Sequence, residues 1–167
     1  MAKITEPRQL FVKELGEMLY VEQELAKEVL PELAREVKHP KFKEGLETHL
    51  EETREHVKNL ERAFELLGES AQAEKSRPMD GLKQQHTMIA RDIEPDMLRD
   101  LFDAAAAAKT EHLEISGYRS LITSAESLGE DEIVGLLEEN LKEEKEALRE
   151  VESVTKTLRD EQKATTS

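Results

Sequence analysis

Four stretches of this sequence place carboxylates and imidazoles where helical geometry would gather them. His49, Glu52 and His56 are spaced i, i+3 and i+7, and Glu111, Glu114 and Tyr118 repeat that spacing. Residues so spaced share one face of a helix. Glu22 falls in the middle of an apolar stripe formed by Phe11, Val12, Leu15, Leu19, Ala26, Val29, Leu30, Leu33 and Val37. Glu144 occupies the centre of a stripe of Ile133, Leu137, Leu141, Leu148 and Val151, from which Glu143 and Glu146 point away. Glu111 and Glu114 stand within Leu101, Ala104, Ala107, Ala108, Ile115, Ile122 and Ala125, and the alanines would let a neighbouring helix approach closely. His49, Glu52 and His56 border the stripe of Leu46, Leu50, Val57, Leu60, Phe64 and Leu67.

Buried carboxylates that face one another repel, and each is costly without a partner. No Lys or Arg stands on these stripes to neutralise them. Divalent metal ions would do so, with Glu as a bridging ligand and His supplying nitrogen. A carboxylate-rich set with one or two imidazoles suits iron or manganese better than zinc, and calcium rarely takes histidine. The expected ligands of a two-metal centre are therefore Glu22, His49, Glu52, His56, Glu111, Glu114 and Glu144. Tyr118 reads as a core tyrosine beside them, and His39, His86 and His112 as surface or turn residues. The absence of cysteine removes disulfides, thiolate nucleophiles and thiolate metal sites.

Positioning such a set requires four helices whose mid-points lie level. The first is expected over residues 6–38, with Thr5 as N-cap, Pro7 in the first turn and a kink at Pro31. His39-Pro40 turns into the second, over 41–67, which stops at Gly68. A polar loop from Glu69 to Asp80 leads into a short crossover helix over 81–90. The third helix, opened by Pro95, spans 96–128, and Gly129 turns into the fourth over 130–159, leaving a polar tail at 160–167. Gly129 lies midway between Glu114 and Glu144, and His39-Pro40 is about equidistant from Glu22 and His56, so folding both hairpins brings the candidates to one height. Two helical hairpins joined by a long connection is the plan of a ferritin-like four-helix bundle, here an all-α single domain over 1–167.

Composition agrees with long helices. Apolar and charged residues each make up 37% of the 167, with no Trp and little Phe or Tyr. The 38 acids against 24 bases give a formal charge of −14, which disfavours nucleic acid and anionic membrane surfaces as partners. The start Met1-Ala-Lys-Ile-Thr-Glu-Pro has no export signal and no run is apolar enough to span a bilayer, so a cytoplasmic location is expected.

Several phrases of the sequence resemble the YciE/YciF-type bacterial stress proteins, a ferritin-like family. They are Leu19-Tyr20, Leu30-Pro-Glu-Leu-Ala34, His49-Leu-Glu-Glu-Thr53, Leu60-Glu-Arg-Ala-Phe64 with Leu67-Gly68, Glu111-His-Leu-Glu-Ile115 with Gly117-Tyr118, and Leu141-Lys-Glu-Glu-Lys145. The resemblance runs nearly end to end. It implies a ferritin-like bundle, a homodimer, a role in stress physiology and a di-iron-type centre using Glu52, Glu111, Glu114 and Glu144 with His49 beside them. In that family the acid of the first helix usually stands one position later, where this chain has Gln23, whereas the apolar stripe selects Glu22. The more familiar Glu-x-x-His pattern of ferritin-like proteins is absent too: the second helix reads His-x-x-Glu and the fourth has no His.

Two functions from different classes fit these residues. One is a redox protein with two iron or manganese ions, oxidising iron or consuming O2 or peroxide. The other is a non-catalytic helical interaction or structural protein, in which the core Glu and His form a hydrogen-bonded polar layer fixing helix register.

Overall fold

A computed structural model describes residues 3–166, and all the regular structure among them is helical. Each long helix buries one face with alternating steps of three and four. On α3 (Pro40–Leu66) the buried series is Leu46, His49, Thr53, His56, Leu60 and Ala63. On α5 (Asp96–Leu128) it runs Ala104, Glu111, Glu114, Tyr118, Leu121 and Ala125. On α6 (Asp131–Thr166) it runs Ile133, Leu137, Asn140, Glu144, Ala147, Val151, Val154 and Leu158. This is the seam pattern of four-helix packing. His49 and His56 thus stand at the centre of their seam, with Leu50 and Val57 at its border, the reverse of the expected order.

The first helix departs from a simple kink. α1 (Pro7–Glu24) passes without a break into a π-helical stretch, Leu25–Val29, and then α2 (Leu30–Glu36). Pro31 falls directly after that stretch, as the second residue of α2. The wider π turn, closed by the Leu30 N–H to Leu25 carbonyl bond, keeps the proline ring clear of the preceding turn. Its extra residue shifts the helical phase, so Leu25 is buried where Ala26 was expected, and Leu30, Leu33 and Val37 resume the seam. Helix start and stop also move slightly. Glu6, not Thr5, is the N-cap, and its N–H donates to Gln9 Oε1 at 3.2 Å.

Around the bundle, α1 packs on α3 and α5, and α6 packs on α3 and α5, which closes a four-membered ring. Short connections at residues 37–39 and at Gly129 make each hairpin. Gly129 has φ +75°, a left-handed helix stop that suits glycine. The crossover is strapped to α1: the Glu74 N–H donates to the Gly16 carbonyl at 2.8 Å. A Cβ on Gly16 would meet the Gln72 carbonyl oxygen at 2.7 Å, so only glycine lets the strap lie there.

α4 (Arg77–Ala90) starts earlier than the expected 81–90, because Ser76 caps it and Pro78 sits in its first turn. α6 runs on to Thr166 instead of ending near Arg159. The apolar seam stops at Leu158, but no Gly or Pro follows to end the helix, so the expected polar tail is helical. Among the described residues, no helix is long and apolar enough to cross a membrane.

Candidate metal centre

Midway along the bundle the seam residues of all four long helices turn polar. Glu22 comes from α1, His49, Thr53 and His56 from α3, Glu111, Glu114 and Tyr118 from α5, and Asn140 and Glu144 from α6. Every one of these is buried, and apolar seam residues cover the layer above and below.

Donor atoms within the layer form two groups. His49, Glu111, Glu114 and Glu144 each offer an atom within 4.8 Å of the others. Glu22, His56 and Glu144 make a second such group, so Glu144 belongs to both. His49 Nε2 lies 3.4 Å from Glu111 Oε1 and 3.6 Å from Glu144 Oε2. His56 Nδ1 lies 2.9 Å from Glu144 Oε1 and 3.4 Å from Glu22 Oε1.

Proximity does not become hydrogen bonding here. Among the described residues, the buried side-chain polar atoms without a hydrogen-bond partner are Glu22 Oε2, His49 Nε2, His56 Nδ1, Glu111 Oε2, and both oxygens of Glu114 and of Glu144. All belong to the two groups. His56 Nδ1 and Glu144 Oε1 are close enough to bond, yet their directions miss. Buried polar atoms nearly always find partners, and each orphan costs on the order of 1–3 kcal/mol. A donor set of four carboxylates and two imidazoles, converging with lone pairs unspent, is the chemistry of a site that could hold a metal ion.

Outer partners aim the two rings. His49 Nδ1 donates to Glu52 Oε2 at 3.3 Å, which leaves Nε2 for the centre. His56 Nε2 donates to Glu143 Oε2 at 2.8 Å, which leaves Nδ1 for it. Each imidazole is therefore held between an outer carboxylate and the inner donor set, the arrangement that fixes tautomer and ring orientation at metal sites. Thr53 Oγ1 donates to the His49 carbonyl at 2.8 Å. Tyr118 donates its phenol proton to Glu22 Oε1, and Asn140 Nδ2 donates to the Tyr118 oxygen at 3.0 Å. Asn140 in turn accepts from Asn59 Nδ2 at 2.7 Å, so the chain of bonds reaches the surface side of α3.

The charges respond to this crowding. Burial pushes the carboxyls of Glu111 and Glu114 well above the ordinary carboxylate range, and the neighbouring glutamates add to it, although the nearby His49 opposes the rise at Glu111. Glu144 is raised to about 7, by burial first and then by Glu22, with His56 opposing. Burial pulls His56 down, but Glu144 and Glu22 outweigh it and lift the imidazole to about 11. At His49 burial likewise acts downward, and Glu52, Glu111 and Glu22 reverse the sign. Tyr118 is held well above the usual phenol value by burial and by Glu22 and Glu144. Without metal, burial and mutual repulsion thus favour the protonated forms of Glu111, Glu114 and Glu144.

Six of the seven sequence-derived candidates meet in the layer: Glu22, His49, His56, Glu111, Glu114 and Glu144. Glu52 does not; its side chain is 31% exposed and stands behind His49. Gln23, the neighbour of Glu22, is partly exposed and accepts from Lys27. Glu143 was expected to point away, yet it lies behind His56. Asn140 and Thr53 were not singled out; the alternating three-and-four step through Leu137, Glu144 and Ala147, and through His49, His56 and Leu60, would have found both. His39 lies in the turn, as expected, but His86 is not a plain surface residue. His39 caps α3, accepting from the Phe42 N–H at Nδ1. His86 donates from Nε2 to the fully buried Asp103 at 2.7 Å and stacks on Phe102.

Residues 6–164 match the family described as Domain of unknown function (DUF892). Protein YciF of Escherichia coli (strain K12) is 32% identical over 137 residues, covering 81% of this chain and 82% of its own. The crystal structure of the E. coli stress protein YciF superposes with a TM-score of 0.88 at 28% identity, covering 94% of this chain and 99% of that one. YcfI of Rhodopseudomonas palustris superposes with a TM-score of 0.87 at 33% identity, over 90% of this chain and 95% of its own.

Proposed function

This chain belongs to the DUF892 family, of which YciF is its E. coli relative, and on that premise we propose that its bundle core binds two metal ions, iron or manganese, for redox chemistry. One observation carries the reading: the orphaned buried atoms all sit on six side chains that converge. A polar layer that merely fixed helix register would close its own hydrogen bonds, as Tyr118, Asn140 and Asn59 do. His49, Glu111, Glu114 and Glu144 would hold one ion, and Glu22, His56 and Glu144 the other, with Glu144 shared.

Two redox-active ions held this way would supply electrons to O2 or peroxide. The chain's own residues do the remaining work. Glu52 and Glu143 hold the rings so that His49 Nε2 and His56 Nδ1 present lone pairs inward once deprotonated. Tyr118 orients Glu22 through its hydrogen bond. Glu144, raised to about 7 in the metal-free chain, would give up its proton as metal binds. The crystal structure of the E. coli relative is that of a stress protein, and we extend that role here, together with a homodimeric assembly and a cytoplasmic location.

The test is metal content. Anaerobic reconstitution with Fe(II) or Mn(II), followed by desalting and elemental analysis, should give about two ions per chain. The iron-loaded protein should then oxidise on exposure to O2. Protein that repeatedly retains no metal would sink the proposal.

A further inference from the structure

The metal layer is not sealed at both ends. Beyond it, towards the π turn and α4, lies a cavity of about 680 Å³ that ends on His49 and Glu111. Its walls come from the π turn, α2, α3, α4, α5 and α6: Leu25, Leu33, Phe42, Ala106, Ala107 and Val151 among them. It is open to solvent on one side, where Glu28, Glu32, Lys41 and Lys109 of its lining are exposed. On α5 Ala104 is fully buried, whereas Ala106 and Ala107 stay partly exposed and line the space. α4 is fastened beside the opening by Lys83 to Glu24 and Glu28, each at 2.6 Å, and by His86 to Asp103.

We propose that this cavity binds a neutral, elongated apolar molecule (a hydrocarbon chain or a fused aromatic) with one end against the His49 and Glu111 wall of the core. Size excludes O2 or peroxide as the only occupants, since each needs a small fraction of this volume, whereas cavities of 300–1,000 Å³ hold organic ligands. Chemistry sets the class. Apolar side chains such as Leu33, Phe42, Phe102 and Val151 predominate on the walls, and a charged group held against them would lose its hydration. The deep end is lined by Glu111, whose Oε2 is unpartnered and 4% of whose surface is exposed. Charged residues such as Lys41, Glu44 and Glu150 line the cavity's edge, where a polar end of the ligand would sit. Placing the ligand beside a metal rests on the proposed function; the binding cavity itself does not.

N-phenyl-1-naphthylamine, a neutral fluorophore, titrated into the full chain tests this. Saturable binding at one probe per chain is expected in both metal-free and metal-loaded protein, with displacement by 1-decanol. Ala106→Phe and Val151→Phe should each fill the cavity and weaken binding by about tenfold or more while metal content is unchanged. Each variant's melting curve shows that it is folded. Loading with Mn(II) should broaden the NMR signals of bound 1-decanol, which reports closeness to the centre. No saturable binding, or undiminished binding in both folded variants, overturns the cavity proposal. So does a filler variant that changes the oligomeric state while the probe never binds, since the space would then belong to a second copy. Probe binding in a protein that retains no metal keeps the cavity and removes the metal reading; the reverse pattern does the opposite.

Discussion

Two clusters of buried acids occupy this bundle, and they are built differently. Near the start of α5, Asp103 is fully buried and accepts from His86 Nε2 at 2.7 Å and Arg99 Nε at 3.1 Å. Arg99 also donates to the Ala90 carbonyl and to Glu36. One turn away Asp100 accepts from the backbone N–H groups of Lys38 and His39, which pins the connection between α2 and α3. Neither aspartate is left with an orphaned buried atom. In the central layer, by contrast, four glutamates and two histidines converge and leave orphaned atoms on every one of them. Burial of acids alone therefore says little about function. Acids that answer to arginine, histidine and backbone hold the fold together, whereas converging acids that keep orphaned atoms are what the proposed metal site would use.

The largest effect that sharpens this contrast is metal loading. Free Fe(II) or Mn(II) at a thousandfold excess over its Kd should stabilise the folded chain by about 4 kcal/mol, seen as a rise in melting temperature. Glu144→Leu should abolish that rise, because Glu144 belongs to both donor groups. Asp103→Asn should keep it. Equal loss in the two variants would erase the distinction.

Next come opposite signs in the metal-free protein. Asp103→Ala should destabilise by about 3 kcal/mol, leaving Arg99 and His86 without their shared partner. Glu114→Leu should stabilise by roughly 1–3 kcal/mol, since both its oxygens are buried without a bond. Urea unfolding of both variants measures this, and destabilisation by Glu114→Leu would place that residue in a structural network.

pH separates the states further. Glu111, Glu114, Glu144, His49 and His56 all have folded values raised above their unfolded ones. For the acids, the unfolded chain ionises first as pH rises past about 4.5, so stability falls from there. Glu144, with its folded value of about 7, loses on the order of 3 kcal/mol over that window. The histidines act in the same direction: their contribution is complete below about 6.5 and, for His56, is lost on the way to about 11. Metal-free protein should thus be less stable at pH 8 than at pH 5. Loaded protein should lack this fall, because metal affinity grows as protons leave the ligands. Identical pH curves for the two forms would count against a metal in the layer.

The smallest expected effect concerns the outer carboxylates. Glu52→Ala or Glu143→Ala should weaken metal affinity roughly 10- to 100-fold without changing stoichiometry, as loss of a ring-orienting partner does. Gln23→Ala, outside the layer, should leave affinity unchanged. Competition with a chromophoric chelator reads all three.

The sequence by itself determined the helical plan and most of the inward-facing set. Glu22, Glu111, Glu114 and Glu144 interrupt apolar stripes, and the 3.6-residue period fixes which side of a helix a residue faces without knowledge of its neighbours. Membership of the family was legible in the same phrases. What the sequence could not determine were matters of phase and distance. The π turn ahead of Pro31 rotates the buried face by the extra residue, exchanging Ala26 for Leu25. Glu52 and Glu143 flank the seam, and whether such a residue faces solvent, a ring or the centre depends on how far the adjacent helices stand apart. Only tertiary packing decided that both lie behind imidazoles, that Asp103 has partners where Glu114 has none, and that the alanines of α5 border open space. Periodicity assigns a residue to one face of its own helix; its partners come from other helices, whose separation and register are set by the packed core as a whole.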